Sequence, residues 1–550
     1  MFAKAIVLAA LLAPGVPGEP DLADAIRARV EGAVAPAVDE LPRIVVGHEL
    51  VHARLDLPRF YAERDWQPAW VSDTSLANAR ALVRAIRRAD QEGLRPADYH
   101  LGSIELLLRS VTRMRRMGWR LPGDLLVDLD MLLTDAFLVL GSHLAVGRVE
   151  PTAIDPIWIP NRRDLDMVPA LERALANGSV EEELADLLPP YIEYRALRDA
   201  LARYRRIARE GGWPRIEQGG TMRPGERGEH IASLRARLGA TRDLDPRLAR
   251  GNTYDADVEA AVRAFQERHG LDETGVVDLL TLAELTTPVE QRIQQLIVNM
   301  ERWRWLPQQL GERHARVNVA GFDFGVYEND ERVMHMRAMV GHQYRQTPVF
   351  SDTITLVVFA PWWGVPRTIA VQDIVPRVVA EGADYLVRNR IQVWRGYSSP
   401  VRVDPLGVNW AAVDTANFPY RFRQEPGPTN PLGNVKFLFP NSFDVYVHDT
   451  QAREMFAQAE RAFSAGCIRI ERPADFAEYL LAPAGWTRER VEHAMAATTE
   501  ATVRVPDPLP IHILYWTAWA DERGRIQFRN DIYLRDEPLE RALGEPAPAA

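Results

Sequence analysis

The sequence predicts a multidomain α+β protein with a helical N-terminal scaffold, a compact three-helix module, and a mixed β-sheet C-terminal domain that carries a helical insertion. Three observations lead there. A chain of 550 residues is long enough for about three or four domains. From residue 41 to 215, Ala-, Leu- and Arg-rich stretches repeat their apolar residues at helical spacing. Beyond about residue 315 the apolar residues alternate at the period of a strand. A composition of 47% hydrophobic and 26% charged residues excludes wholesale disorder and a polytopic membrane protein. The net charge of -10 argues against a nucleic-acid partner.

Residues 1–20 place Lys4 before an apolar run from Ala5 to Ala13, followed by small residues and proline, which is the order of a secretory signal. The run is shorter than the ~20 residues that span a bilayer, and no cysteine follows to take a lipid. The expectation is export, with the leader either cleaved or kept as an anchor. Residues 41–215 follow as the helical scaffold, with SLANARALVRAIRRADQEGL and DLLVDLDMLLTDAFLVLGSHLAVGRV as its clearest helices. Residues 221–288 form a three-helix unit in which Gly270 and Gly275 supply turns and Phe265 and Leu271 are expected to fill the core. Val289 to Arg304 reads as a helix leading into the β-rich domain at 295–535. That domain is interrupted at 363–436 by a segment with the length and composition of a lid, and it ends in a hairpin around DERGR.

His48, Glu49 and His52 spell HExxH, which on a helix aims two imidazoles at one zinc. No third histidine extends the pattern, and RLDLPRF follows closely. The expectation here is a surface helix without metal, and no cofactor in the chain. A different segment carries stronger chemistry. The chain has one cysteine, Cys467, and two lysines, Lys4 and Lys436, among its 66 basic residues. In YVHDTQAREMFAQAERAFSAGCIRI, His448 follows a predicted strand, and Cys467 comes 19 residues later between Gly466 and Ile468. A cysteine nucleophile needs an imidazole to hold it as thiolate and amide donors for the oxyanion. Gly466 permits close approach of substrate and stands at the expected oxyanion position, where the amide of Cys467 is a natural donor. Tyr446 lies two residues before His448 on the same strand face, where it either donates to the oxyanion or packs under the imidazole. Arg469 either binds a substrate carboxylate or holds the cysteine turn through a salt bridge. Ser464 precedes the turn, and Lys436, Trp362 and Trp363 stand at the lid boundary.

At these residues the sequence resembles the L,D-transpeptidase family of bacterial cell-wall enzymes, with its YkuD-type catalytic domain, and most closely the large YcbB-like branch. FYAERDWQPAW and ADQEGLRPADYHL resemble that branch's scaffold. AVRAFQERHGLDETGVVDLLTLAEL resembles a peptidoglycan-binding module. The resemblance implies a 3-3 cross-linking reaction through a cysteine thioester, with Cys467 as nucleophile, His448 as base and then acid, and the Asp449 backbone carbonyl orienting the imidazole. The substrate implied is the peptidoglycan stem tetrapeptide, which loses D-alanine, and carbapenems would acylate the same thiol. An L,D-carboxypeptidase using water as acceptor, or a decayed peptidoglycan-binding scaffold, are the alternatives. The implied place is the periplasm of a Gram-negative bacterium, beside a D,D-carboxypeptidase and other cell-wall synthesis proteins.

Overall fold

The computed structural model describes residues 21–33 and 43–545, apart from 73–74, 156–157, 160–162, 164, 217–219 and 397–398. The leader expected at 1–20 lies outside the described residues. Among the described residues, no helix is long and apolar enough to cross a membrane.

The 24-residue helix Gly123–Val146 is apolar on nearly every side and is therefore covered on every side. Helices Leu22–Glu31, Asp56–Glu63, Ala77–Arg88, Leu101–Arg116 and Met167–Asn177 pack around it. Two of its carboxylates are fully buried and fasten irregular loops to the helix. Asp130 accepts from the amides of Ala69, Trp70 and Val71 at 2.9, 2.7 and 3.1 Å and from the Tyr61 hydroxyl at 2.7 Å. Asp135 accepts from the amide of Ala53 at 2.7 Å and lies 2.7 Å from His100 Nε2. Both buried carboxylates are thus matched by donors.

The HExxH stretch is a β-hairpin, which corrects the surface helix expected there. Strands β1 (Val45–Val46) and β2 (Glu49–Leu50) pair antiparallel across Gly47, whose φ of +63° suits the first position of a tight hairpin turn. The His48 side chain is 85% exposed, whereas His52 stacks on His100 with ring centroids 5.5 Å apart.

The three-helix module consists of Glu229–Ala240, Ala256–Arg268 and Leu279–Thr286, closed over Ile231, Leu234, Leu238, Val262 and Phe265. Asp255 and Asp278 cap the second and third helices by accepting the amides of Val258 and Thr281. Leu271 is not in that core. Gly270, at φ +67°, ends the second helix and turns Leu271 onto the wall of a cleft facing the C-terminal domain. The helix Val289–Arg304 then joins the parts. Its Trp303 stacks on Trp516 at 4.2 Å, and its fully buried Glu301 accepts the amides of Arg148 and Val149 and pairs with Arg304 at 2.8 Å.

The remaining strands are β3 (Trp158–Ile159), β4 (Arg313–Asn318), β5 (Asp323–Glu328), β6 (Glu331–Gly341) and β7 (Val349–Phe359). The insertion adds β8 (Trp363–Gly364), β9 (Ile391–Arg395), β10 (Val401–Val403) and β11 (Tyr420–Gln424). After it come β12 (Val435–Leu438), β13 (Val447–His448), β14 (Ala462–Ser464), β15 (Ile468–Ile470) and β16 (Ala501–Leu514). The hairpin around DERGR is β17 (Ala518–Ala520) and β18 (Ile526–Phe528). Because β12 pairs with both β13 and β7, the strands β7-β12-β13-β15-β6-β5-β4-β16 close on themselves. A closed ring has no open edge to protect. Val435, Phe437, Val447, Ile468 and Ile470 belong to its buried core.

The strand expected over FDVYVHD is only two residues long. The Asn441 side chain bends the chain before it, accepting the amides of Phe443 and Val445 at 3.0 and 3.1 Å. The insertion holds the expected helices, Val375–Glu381 and Asp384–Arg388, and in addition a four-stranded antiparallel sheet in the order β10-β9-β11-β8. It has its own core around Ile374, Leu386, Val393, Trp410 and Phe422.

Candidate active site

β13 and β15 run parallel, with Val447 opposite Ile468 and His448 opposite Arg469. On the other side of β13, Lys436 of β12 stands opposite His448. Since Val447 and Ile468 face the core, alternation sends Lys436, His448 and Arg469 to the opposite face. Two residues upstream on that face come Tyr446 and Cys467, tied by the bond from the Ile468 amide to the Tyr446 carbonyl at 3.1 Å. Thiol and imidazole therefore occupy a diagonal of neighbouring strands.

His448 is buried, and its Nδ1 lies 2.5 Å from the Asp449 carbonyl oxygen. A carbonyl can only accept, so Nδ1 donates and Nε2 keeps the lone pair. Burial, and then the Arg469 charge, pushes His448 down to about 3, so the ring is neutral at neutral pH. The Asp449 carboxylate points elsewhere, accepting the Asn434 amide at 2.8 Å and pairing with Arg453 at 2.7 Å. It lies against Gly433, where φ is +62° and a Cβ would fall 2.4 Å from the Asp449 carboxyl carbon.

Cys467 sits in a turn held from both ends. The Ser464 hydroxyl donates to the Cys467 carbonyl at 2.5 Å and accepts the Gly466 amide at 3.1 Å. The Thr347 hydroxyl donates to the Gly466 carbonyl at 2.9 Å, and the Thr347 amide donates to the Tyr533 hydroxyl at 3.1 Å. Tyr533 in turn donates to the Gly341 carbonyl at 2.7 Å. Gly466 adopts φ +116°, which only glycine adopts readily. Its amide, expected to serve the oxyanion, is occupied by Ser464. The Cys467 amide has no hydrogen-bond partner among the described residues.

The thiol is half-buried, in no disulfide, and faces the Asp444 carbonyl at 3.9 Å. Burial raises its pKa, while the amide and hydroxyl of Tyr446 and the Arg469 charge act to lower it. The resting pair is therefore a thiol and a neutral imidazole, not the thiolate expected from the residue types. Arg469 has a buried Nε without a partner and, among the described residues, no ion pair. Lys436 Nζ lies 3.5 Å from the Trp362 carbonyl and 5.8 Å from the Tyr446 ring. Trp362 lies under Arg423 and donates its amide to Glu500 at 2.7 Å. Trp363 pairs with Gln424 and packs against the insertion's own core, away from this cluster. Thr347, Tyr533, Arg453 and Gly433 were not singled out from sequence. Only Gly433, in the turn PLGN, carries a local signal.

His448 shares its depressed pKa with other buried histidines. Burial pushes His143 and His314 to about 3, His512 to about 4, and His269 well below its ordinary value. Between about pH 6.5 and pH 4 the unfolded chain binds protons at these sites that the folded chain refuses, so stability rises with pH across that window. Each group contributes about 1.4 kcal/mol per pH unit there. Thermal unfolding midpoints measured from pH 7 to pH 4 are expected to fall steeply, and a flat profile would contradict burial of these rings as neutral species.

Residues 312–503 match the family model for the L,D-transpeptidase catalytic domain, YkuD. Residues 229–285 match a model described as "Putative peptidoglycan binding domain", and residues 56–201 match a scaffold-domain model. A curated protein of Haemophilus influenzae, "Putative L,D-transpeptidase", is 33% identical over 248 residues, which cover 45% of this chain and 49% of that protein. The chain thus spans about half the length of the curated relative it matches. Among solved structures, an L,D-transpeptidase from Mycobacterium smegmatis aligns at 16% identity over 37% of this chain and 58% of its own, with a TM-score of 0.18. One from Xylanimonas cellulosilytica aligns at 14% identity over 54% of this chain and 100% of its own, also at 0.18.

Proposed function

This chain carries an L,D-transpeptidase catalytic domain together with a peptidoglycan-binding domain, and from that premise we propose that it forms 3-3 cross-links in peptidoglycan through a thioester on Cys467. The observation that carries the reading is the placement of Cys467 and His448 on one face of paired parallel strands, with Nε2 of His448 left as an acceptor. Cys467 attacks the carbonyl of the third residue of a tetrapeptide stem while its thiol proton passes to His448. The C–N bond to the terminal D-alanine breaks, and the same proton leaves on the D-alanine amine. The side-chain amine of a diaminopimelate on a second stem then attacks the thioester, the C–S bond breaks, and the thiol is restored.

In both steps the unoccupied Cys467 amide, and the Tyr446 hydroxyl beside the sulfur, supply donors for developing negative charge. The Asp449 carbonyl holds the imidazole, Ser464 and Gly466 shape the turn, and the insertion at 363–436 covers the site as a lid with Lys436 and Trp362 at its junction. Proposed domain limits follow the expectation of 41–215, 221–288 and 295–535. The enzyme works outside the cytoplasm, in the periplasm of a Gram-negative cell, and depends on a D,D-carboxypeptidase to supply tetrapeptides.

Incubation with disaccharide-tetrapeptide tests the reaction. A 3-3 dimer and free D-alanine are expected, whereas tripeptide without dimer would replace transpeptidation by L,D-carboxypeptidase activity, and no product at all would leave a binding scaffold. Arg469 is proposed to receive a stem carboxylate, because its guanidinium is charged, largely enclosed and without a carboxylate partner. Arg469→Gln should raise KM about 10- to 100-fold with a smaller change in kcat. Removal of its charge should also move the acid limb of kcat to higher pH, since that charge holds His448 down. An unchanged KM would assign Arg469 to the turn instead.

A further inference from the structure

A cleft of about 580 Å³ lies between the three-helix module and the C-terminal domain, away from Cys467. Its walls are the turn after the module's second helix, the β5–β6 region, the β17–β18 hairpin, and the segment 457–461 that connects His448 to Cys467. Two arginines in it are spent on backbone alone. Arg461 donates to the carbonyls of Phe322 and Ala338, each at 3.2 Å, and to those of Gln458 and Ala459. Arg529 donates to the carbonyls of Arg268 and Phe528 at 3.0 and 2.7 Å, and lies 4.9 Å over the ring of Trp519. Among the described residues neither has an ion-pair partner.

Four of the acidic groups nearby already have side-chain partners. Asp323 contacts His335, Glu267 and Asp521 pair with Arg525, and Glu522 pairs with Arg332. Asp272 and Glu273 stand on the module's turn. Burial brings both Arg461 and Arg529 down to about 10, against the charge of Asp323 on the same cleft wall, and the Arg461 charge adds to the effect at Arg529. Two largely enclosed guanidinium groups whose hydrogen bonds end on backbone carbonyls keep their charge available to an incoming anion. Trp519 also borders a second cavity of about 440 Å³, so the two hollows meet at an indole ring. Indole faces pack on the apolar faces of sugars, and a guanidinium pair suits a carboxylate.

We propose that this cleft is a second binding site for peptidoglycan, in which Arg461 and Arg529 take a stem-peptide carboxylate and Trp519 takes the attached sugar. The inference rests on the cell-wall reading above. Peptidoglycan joins these two chemistries in one molecule, and a strand seated here would bridge the peptidoglycan-binding domain to the segment between the two reacting side chains.

The test is calorimetric titration of the full chain with disaccharide-tripeptide, which has no terminal D-alanine to lose. Arg529→Gln should weaken this binding about tenfold or remove one site from the isotherm, and Arg529→Lys should restore part of it. Turnover of a soluble tetrapeptide should stay within about twofold of wild type, since Arg529 does not touch the cysteine site. A tripeptide whose carboxylates are amidated should lose at least that increment with the wild-type chain, and with Arg529→Gln only the part owed to Arg469. Equal isotherms for wild type and Arg529→Gln would overturn the proposal, as would undiminished binding of the amidated ligand, or inorganic phosphate binding as tightly as the tripeptide. Failure of the transpeptidation itself would appear as missing D-alanine, and would leave the isotherms readable.

Discussion

Cys467→Ala is expected to reduce D-alanine release from tetrapeptide by at least about 10⁴-fold, to the background of the uncatalysed reaction. The chain has no second thiol to substitute for it. Its turn is held by Ser464, Thr347 and Gly466 through backbone atoms, so loss of the sulfur should leave the fold intact. Mass spectrometry after incubation with a carbapenem should show an adduct on the wild-type chain at Cys467 and none on the variant. Binding to insoluble peptidoglycan should persist, because the peptidoglycan-binding domain is untouched. Residual turnover above about 1% in a folded Cys467→Ala variant would remove Cys467 as the nucleophile.

His448→Gln should cost about 10²- to 10⁴-fold in kcat by removing the group that accepts the thiol proton. The pH dependence gives a sharper test. With His448 pushed down to about 3 and the thiol raised by burial, the wild-type sulfur is protonated and the imidazole neutral over the physiological range. Alkylation of Cys467 by iodoacetamide should therefore accelerate continuously as pH rises from 6 to 9. A pre-formed thiolate–imidazolium pair would instead give a rate that stays high down to about pH 5. That flat profile would show that the proton has already moved before substrate arrives.

The residues proposed to carry the chemistry are legible in sequence because they crowd one short segment. The lone cysteine beside a glycine, and a histidine 19 residues before it, need no tertiary information to be noticed. Their support comes from distant strands and could not be read in the same way. Thr347 and Tyr533 reach the cysteine turn from 120 and 66 residues away in the chain, and both look ordinary where they stand. The sheet in the insertion was missed because β10 has three residues and β8 two, too few for alternation to register. HExxH misled in the opposite direction, since a glycine just before it turned a helical pattern into a hairpin. Leu271 had the right spacing for the module's core, but Gly270 sent the chain outward. The closure of the barrel depends on β12 meeting β7 across the whole insertion, and no local pattern records a pairing of that separation.

The link from Tyr533 through Thr347 to Gly466 also sets an order of events during the making of the protein. A chain emerging from the ribosome releases His448 and Cys467 well before Tyr533, and domains form as they emerge. Until the last of those three segments arrives, the loop at Thr347 lacks the phenol that pins it, and the turn bearing the sulfur lacks part of its brace. Under the proposed reaction, competence therefore waits until residue 533 has emerged, and a fragment ending before it would carry Cys467 and His448 without the frame that aims them.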